Sequence, residues 1–80
     1  MAYINGVTLL EVLDKETNER KHDECYGKSC DVIYSFEEVM IIRFENETWF
    51  TSFVTHSPKE ICEVIEVQTE KGIYRFKKCY

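Results

Sequence analysis

The chain has 80 residues, 44% of them hydrophobic and 14% aromatic, and a formal net charge of −5. That length accommodates a single domain, residues 1–80, and the apolar share is too high for a disordered tail. An acidic chain repels phosphates, which disfavours direct nucleic-acid binding, and no apolar run approaches the roughly 20 residues of a membrane-spanning helix.

In chain order, Asn5-Gly6 is a hairpin-type turn signal, with Tyr3-Ile4 as a stub strand before it. The apolar run 7–13, "VTLLEVL", is too short for an ordinary helix and reads as a buried strand. Residues 14–31, "DKETNERKHDECYGKSCD", are almost wholly polar and read as one long loop, a length that is usually functional or disordered. Residues 32–44 read as two strand runs around Glu37-Glu38, an exposed bend or a bulge. Val32, Tyr34 and Phe36 share a face of the first run, and Met40, Ile42 and Phe44 share a face of the second. Residues 45–48 are a turn. Residues 49–55 alternate as a strand, with Trp49 and Phe50 on opposite faces, so that one of them is exposed.

Ser57-Pro58-Lys59-Glu60 carries the serine cap, first-turn proline and third-position glutamate of a helix start. The β-branched residues after it favour a single helical turn feeding a strand over a full helix. Cys62 is then expected as a buried thiol in an apolar strand. The end of the chain is a hairpin: Ile65, Val67 and Thr69 line one arm and Tyr74 and Phe76 the other. Gly72 is expected at a positive φ in its turn, and Glu66 and Glu70 face Arg75 and Lys77 across the strands. The fold class that follows is mostly β: a small antiparallel, partly open barrel of five or six strands, SH3-like in style, with one long polar loop and at most one short helical turn.

Four cysteines and two histidines bring chemistry into question. His22, Cys25 and Cys30 offer three potential ligands within nine residues, and a tetrahedral zinc site needs a fourth, for which Asp23, Asp31, His56, Cys62 and Cys79 are the candidates. The paired C-x2-C knuckles of a strong zinc signature are absent. No leader segment is evident, so a cytoplasmic location is expected, where thiols outnumber disulfides. No nucleophile elbow, P-loop or dinucleotide fingerprint occurs, so the chain is not expected to be an enzyme.

In size, acidity and composition the whole chain resembles the short orphan proteins of bacteriophages and mobile elements of Gram-positive bacteria. That resemblance implies an inhibitor of a host or defence protein. The expected function is a small, acidic, non-enzymatic protein-binding module that needs no cofactor. Arg20, His22, Tyr26 and Lys28 of the polar loop, together with Trp49, are its expected contacts, because exposed Tyr, Trp and Arg anchor protein interfaces. Two alternatives stand beside it. One is a module stabilised by zinc on His22, Cys25 and Cys30. The other is a homo-oligomer that binds a small molecule, or performs a small reaction, in a pocket built between copies.

Overall fold

A computed structural model describes residues 2–78. Eight strands form: β1 (Ala2–Asp14), β2 (Arg20–Lys21), β3 (Ser29–Tyr34), β4 (Val39–Phe44), β5 (Thr48–Phe53), β6 (Lys59–Ile61), β7 (Val64–Gln68) and β8 (Gly72–Lys78). They join in one antiparallel sheet of order β5-β4-β3-β1-β8-β7-β6, with β2 hung on β1. The expected five or six strands are present, and β2 and β6 are the two short additions. The sheet curls without closing. At one end Val54 bridges Thr69, Thr55 N–H donates to Gln68 O at 3.0 Å, and Glu70 N–H donates to Phe53 O at 2.8 Å, which ties the chain just past β5 to the end of β7.

The first strand differs most from expectation. Asn5-Gly6 is not a turn, and β1 runs straight through it for 13 residues. The pairing with β3 shifts register between Ile4 and Val7, so two residues oppose the single residue Asp31. Gly6 takes φ +66 there, and its N–H donates to Asp31 Oδ1 at 2.9 Å. A turn-type dipeptide has been used as a bulge, because both devices need the left-handed backbone that glycine adopts freely. The strand shifts again, against β8, between Leu9 and Glu11. That second shift lets Val7, Leu9 and Val12 all point inward at a spacing of two and then three.

Val7, Leu9, Val12, Val32, Met40, Ile42, Val54, Ile65, Val67 and Phe76 form the buried core. Met40 and Ile42 face it as the alternation predicts. Phe36 does not follow Val32 inward, because the chain turns at residues 36–37 and leaves it exposed. Glu37-Glu38 is indeed the bend, and it also anchors: Glu37 N–H donates to Val54 O at 3.0 Å and Val54 N–H to Glu38 O at 2.8 Å.

The helix start at Ser57–Glu60 does not form. Lys59–Ile61 is β6, and Ile61 pairs with Val64 across a two-residue turn in which Cys62 and Glu63 both have positive φ, at 50° and 68°. That is the backbone of a tight hairpin written without its usual asparagine and glycine. Cys62 therefore stands exposed at the tip, not buried in a strand. The one helical turn is instead a 3-10 turn at Asp23–Cys25.

The β7–β8 hairpin forms as expected. Glu66 faces Arg75, and its Oε1 accepts from Nε at 3.0 Å and Nη2 at 2.9 Å. Gly72 is not among the residues at positive φ. Space explains its presence: a Cβ there would lie 3.1 Å from Leu13 O. Among the described residues no helix is long and apolar enough to cross a membrane.

Candidate binding surface

The polar segment 14–31 is not a loose loop. Asp14 opens it by accepting Glu16 N–H at 2.8 Å and Thr17 N–H at 3.1 Å on Oδ1, while Lys21 Nζ lies 2.7 Å from Oδ2. The hydrogen bond from Lys21, followed by the two backbone donors, lowers the Asp14 carboxyl to about 2. β2 then pairs Arg20 with Leu13 and Lys21 with Val12. After the 3-10 turn, Gly27 N–H donates to Leu9 O at 2.8 Å and Leu9 N–H to Lys28 O at 3.0 Å, so the segment rejoins β1 before β3 begins. Its polar side chains face water while its backbone extends the sheet, which leaves no apolar pattern to betray the structure.

Tyr26, expected to be exposed, is half-buried. Its hydroxyl receives the Val12 N–H at 3.0 Å and lies 2.7 Å from Lys21 O and 3.2 Å from Val12 O. This phenol therefore fastens the segment to the bulged part of β1. Arg20 lies with its guanidinium 4.9 Å from the Tyr26 ring centre and its Nε 3.7 Å from Glu11. Glu11 also binds Arg75. His22 stands at φ 58 with its ring 4.7 Å from that of Trp49, and Trp49 in turn packs edge-on against Phe44 at 4.7 Å. Lys28 is exposed and lines a shallow depression with Glu45 and Glu47. Four of the five expected contacts thus fall into two adjoining stacks, Arg20 on Tyr26 and His22 on Trp49, held mainly by groups of the chain itself.

Among the described residues no three His, Cys, Asp or Glu side chains gather as a metal site. Cys25 is buried and its Sγ–H points to Glu47 Oε1 at 3.8 Å, and burial pushes its thiol pKa up. Cys30 is a buried thiol. His22 faces Trp49, and His56 Nδ1 lies 2.8 Å from Thr55 Oγ1. Cys79 lies outside the described residues.

Among the described residues, β4 and β5 carry several exposed apolar side chains together. The register shift between Val39–Phe53 and Ile41–Phe50 places a bulge at Thr51-Ser52. Met40 N–H donates to Thr51 Oγ1 at 3.1 Å inside that bulge. Its effect is to turn Thr51 and Val54 inward and Phe50 and Phe53 outward. Phe50 is 70% exposed, Phe53 52% and Phe36, beside them at the turn, 60%. Val39 and Ile41 pair with these phenylalanines and complete an outward apolar face. Of the Trp49-Phe50 pair the exposed member is Phe50. Phe53 was not singled out, and the signal that pointed to it was the absence of any charge across residues 48–55; Phe36, next to Glu37-Glu38, carried no such signal.

β5 is also an end of the sheet. Among the described residues its ladder partner is β4 alone. Away from β4 it borders a groove of about 330 Å³ lined by His22, Thr48, Trp49, Phe50, Thr51 and Tyr74. Glu47 sits at one end and accepts the Trp49 indole N–H at 2.8 Å. Burial pushes the Tyr74 phenol pKa up. A cleft of about 400 Å³ beside Tyr3, Tyr34 and Pro58 is lined also by Glu60 and Lys78, which form an internal ion pair at 2.7 Å.

Comparison with family models, with curated proteins and with solved structures gives no match for this chain.

Proposed function

We propose that the chain is a protein-binding module, not an enzyme, and that it binds through β5 and the apolar face beside it. The observation that carries this reading is the exposure of Phe50, Phe53 and Val39 on β4 and β5, with Phe36 exposed at the turn before β4, beside a β5 edge that over Thr48–Thr51 has no ladder partner among the described residues. An edge strand without charge or proline is a ready template for another chain, and proteins ordinarily blunt such edges. The other edge of this sheet is blunted: β6 is three residues long, carries Lys59 and Glu60, and follows Pro58. β5 has six residues, none charged. A module of this kind acts by occupying a partner's surface, which is how a small inhibitor works. The polar segment positions His22 at the groove and otherwise serves the fold.

The test is affinity capture from a lysate of the source cell with the wild-type chain and with Phe50→Glu/Phe53→Glu. Both positions are exposed, so the double variant should melt within a few degrees of wild type. Partners held by the wild type and lost by the double variant are expected. An identical set retained by both would refute binding through this face.

A further inference from the structure

Resting on the reading of β5 as the binding strand, the geometry points to the class of partner it takes: an extended, basic segment of another protein, added as a strand along the free edge of β5, with a Lys or Arg side chain over Trp49. The groove has the parts such a segment needs. Thr48–Thr51 line it, and along this stretch β5 has β4 as its one ladder partner among the described residues, so its second edge is where a strand could add. His22, Trp49 and Tyr74 line it as well, with the His22 and Trp49 rings 4.7 Å apart. Aromatic faces attract cations, and tryptophan does so best.

Charge selects the sign of the partner. Of the cations on this side, Arg20 pairs with Glu11, Lys21 with Asp14, and Arg75 with Glu11 and Glu66, which leaves Lys28 and Arg43, the latter opposite Thr48 in the ladder, outside the ion pairs among the described residues. The acids outside ion pairs outnumber these two. Glu47, next to Thr48, and Asp23 and Glu24, next to His22, make no ion pair among the described residues. Lys28 shares the neighbouring depression with both Glu45 and Glu47, so that flank also stays acidic. A second copy of this chain, with its net charge of −5, brings the same acids to the same edge and is the poorer occupant.

Trp49 is the sole tryptophan, so its fluorescence reads the groove directly. The immobilised chain is used to select from a randomised dodecamer peptide library, and an enriched peptide is then titrated in solution against Trp49 emission. The expected peptides are rich in Lys and Arg, shift the emission, and lose about tenfold in affinity between 50 and 300 mM salt. Methylating alternate backbone amides of the peptide should abolish binding, because an added strand needs its N–H groups. Glu47→Gln/Asp23→Asn/Glu24→Gln should weaken binding several-fold while the glutamine still accepts the Trp49 indole. Enriched peptides without a positive excess would overturn the basic partner and leave the binding-strand reading intact. Peptides that bind without moving Trp49 emission, affinity untouched by N-methylation, or a selection no better than on a bare surface would overturn the inference. So would a stable homodimer in sedimentation that Phe50→Lys dissociates.

Discussion

Tyr26→Phe removes one oxygen and tests whether the polar segment is part of the fold. In the wild type that oxygen receives the Val12 N–H at 3.0 Å and donates to Lys21 O at 2.7 Å. Val12 is a buried residue at the bulged part of β1, and its hydrogen bond to the phenol is part-buried, so loss of the hydroxyl leaves this N–H without its protein partner. A typical internal hydrogen bond contributes about 1 kcal/mol net, and a stranded donor costs about 1–3 kcal/mol. The donor is only partly screened from solvent by the half-buried ring, which places the total at about 2–3 kcal/mol. An 80-residue chain has roughly 4–12 kcal/mol to lose. At about 4–8 °C per kcal/mol for a domain of this size, the melting temperature should fall by roughly 8–24 °C, followed by circular dichroism at 218 nm or by urea titration. The phenyl ring stays, so the stack with Arg20 persists and packing loss does not confound the result. A loss below about 0.5 kcal/mol would show that the segment contributes little to the fold and that its contacts with β1 are incidental.

Replacing Cys62-Glu63 by Asn-Gly should raise stability by about 1–2 kcal/mol in urea denaturation, because two non-glycine residues now hold left-handed backbone in the β6–β7 turn; no gain would refute the strain. Asp14 contributes stability above its ordinary pKa of 3.8, and that contribution is lost as pH falls toward its folded value of about 2. Melting temperature should therefore drop more between pH 4 and pH 2 in the wild type than in Asp14→Asn, and parallel pH profiles would contradict the Lys21 and backbone contacts as its cause. In a Cys79→Ser background one thiol, Cys62, should react at once with Ellman's reagent, while Cys25 and Cys30 wait for unfolding; the raised pKa of Cys25 slows it further, and labelling of Cys25 as fast as Cys62 would show the segment to be open.

The parts of this fold that obey period-two alternation were legible. Met40 and Ile42 against Ile41 and Arg43, and Ile65, Val67 and Thr69 opposite Phe76, needed nothing beyond the pattern. The parts that were not legible share a physical cause. Five non-glycine residues, Asn18, His22, Glu37, Cys62 and Glu63, sit at positive φ, where side chains are disfavoured and sequence offers no cue. The β6–β7 turn is thus invisible, and its neighbours Ser57-Pro58-Lys59-Glu60 imitate a helix start in its place. Conversely Asn5-Gly6 signalled a turn where the chain needed only one left-handed residue to bulge. Bulges break the alternation twice on β1 and once on β5, which sets Val12 and Phe53 on faces that strict alternation does not give.

The binding surface followed the same logic. Sequence directed attention to the polar segment because polarity and cysteines mark sites, and exposed aromatics and arginines mark interfaces. The structure uses those same groups internally: Tyr26 for β1, Lys21 for Asp14, Arg20 for Glu11. Residues that complete hydrogen bonds within the fold cannot leave them for a partner without a cost of the size argued for Tyr26. The uncharged strand 48–53 has no such debts on its outer face. Its phenylalanines are turned out by a bulge whose hydroxyl, Thr51 Oγ1, accepts from Met40 N–H and donates to Ser52 O. Thr51→Val should therefore remove the acceptor, unsettle the bulge and shift Phe53 toward the core, coupling a buried hydroxyl to the shape of the surface that meets a partner.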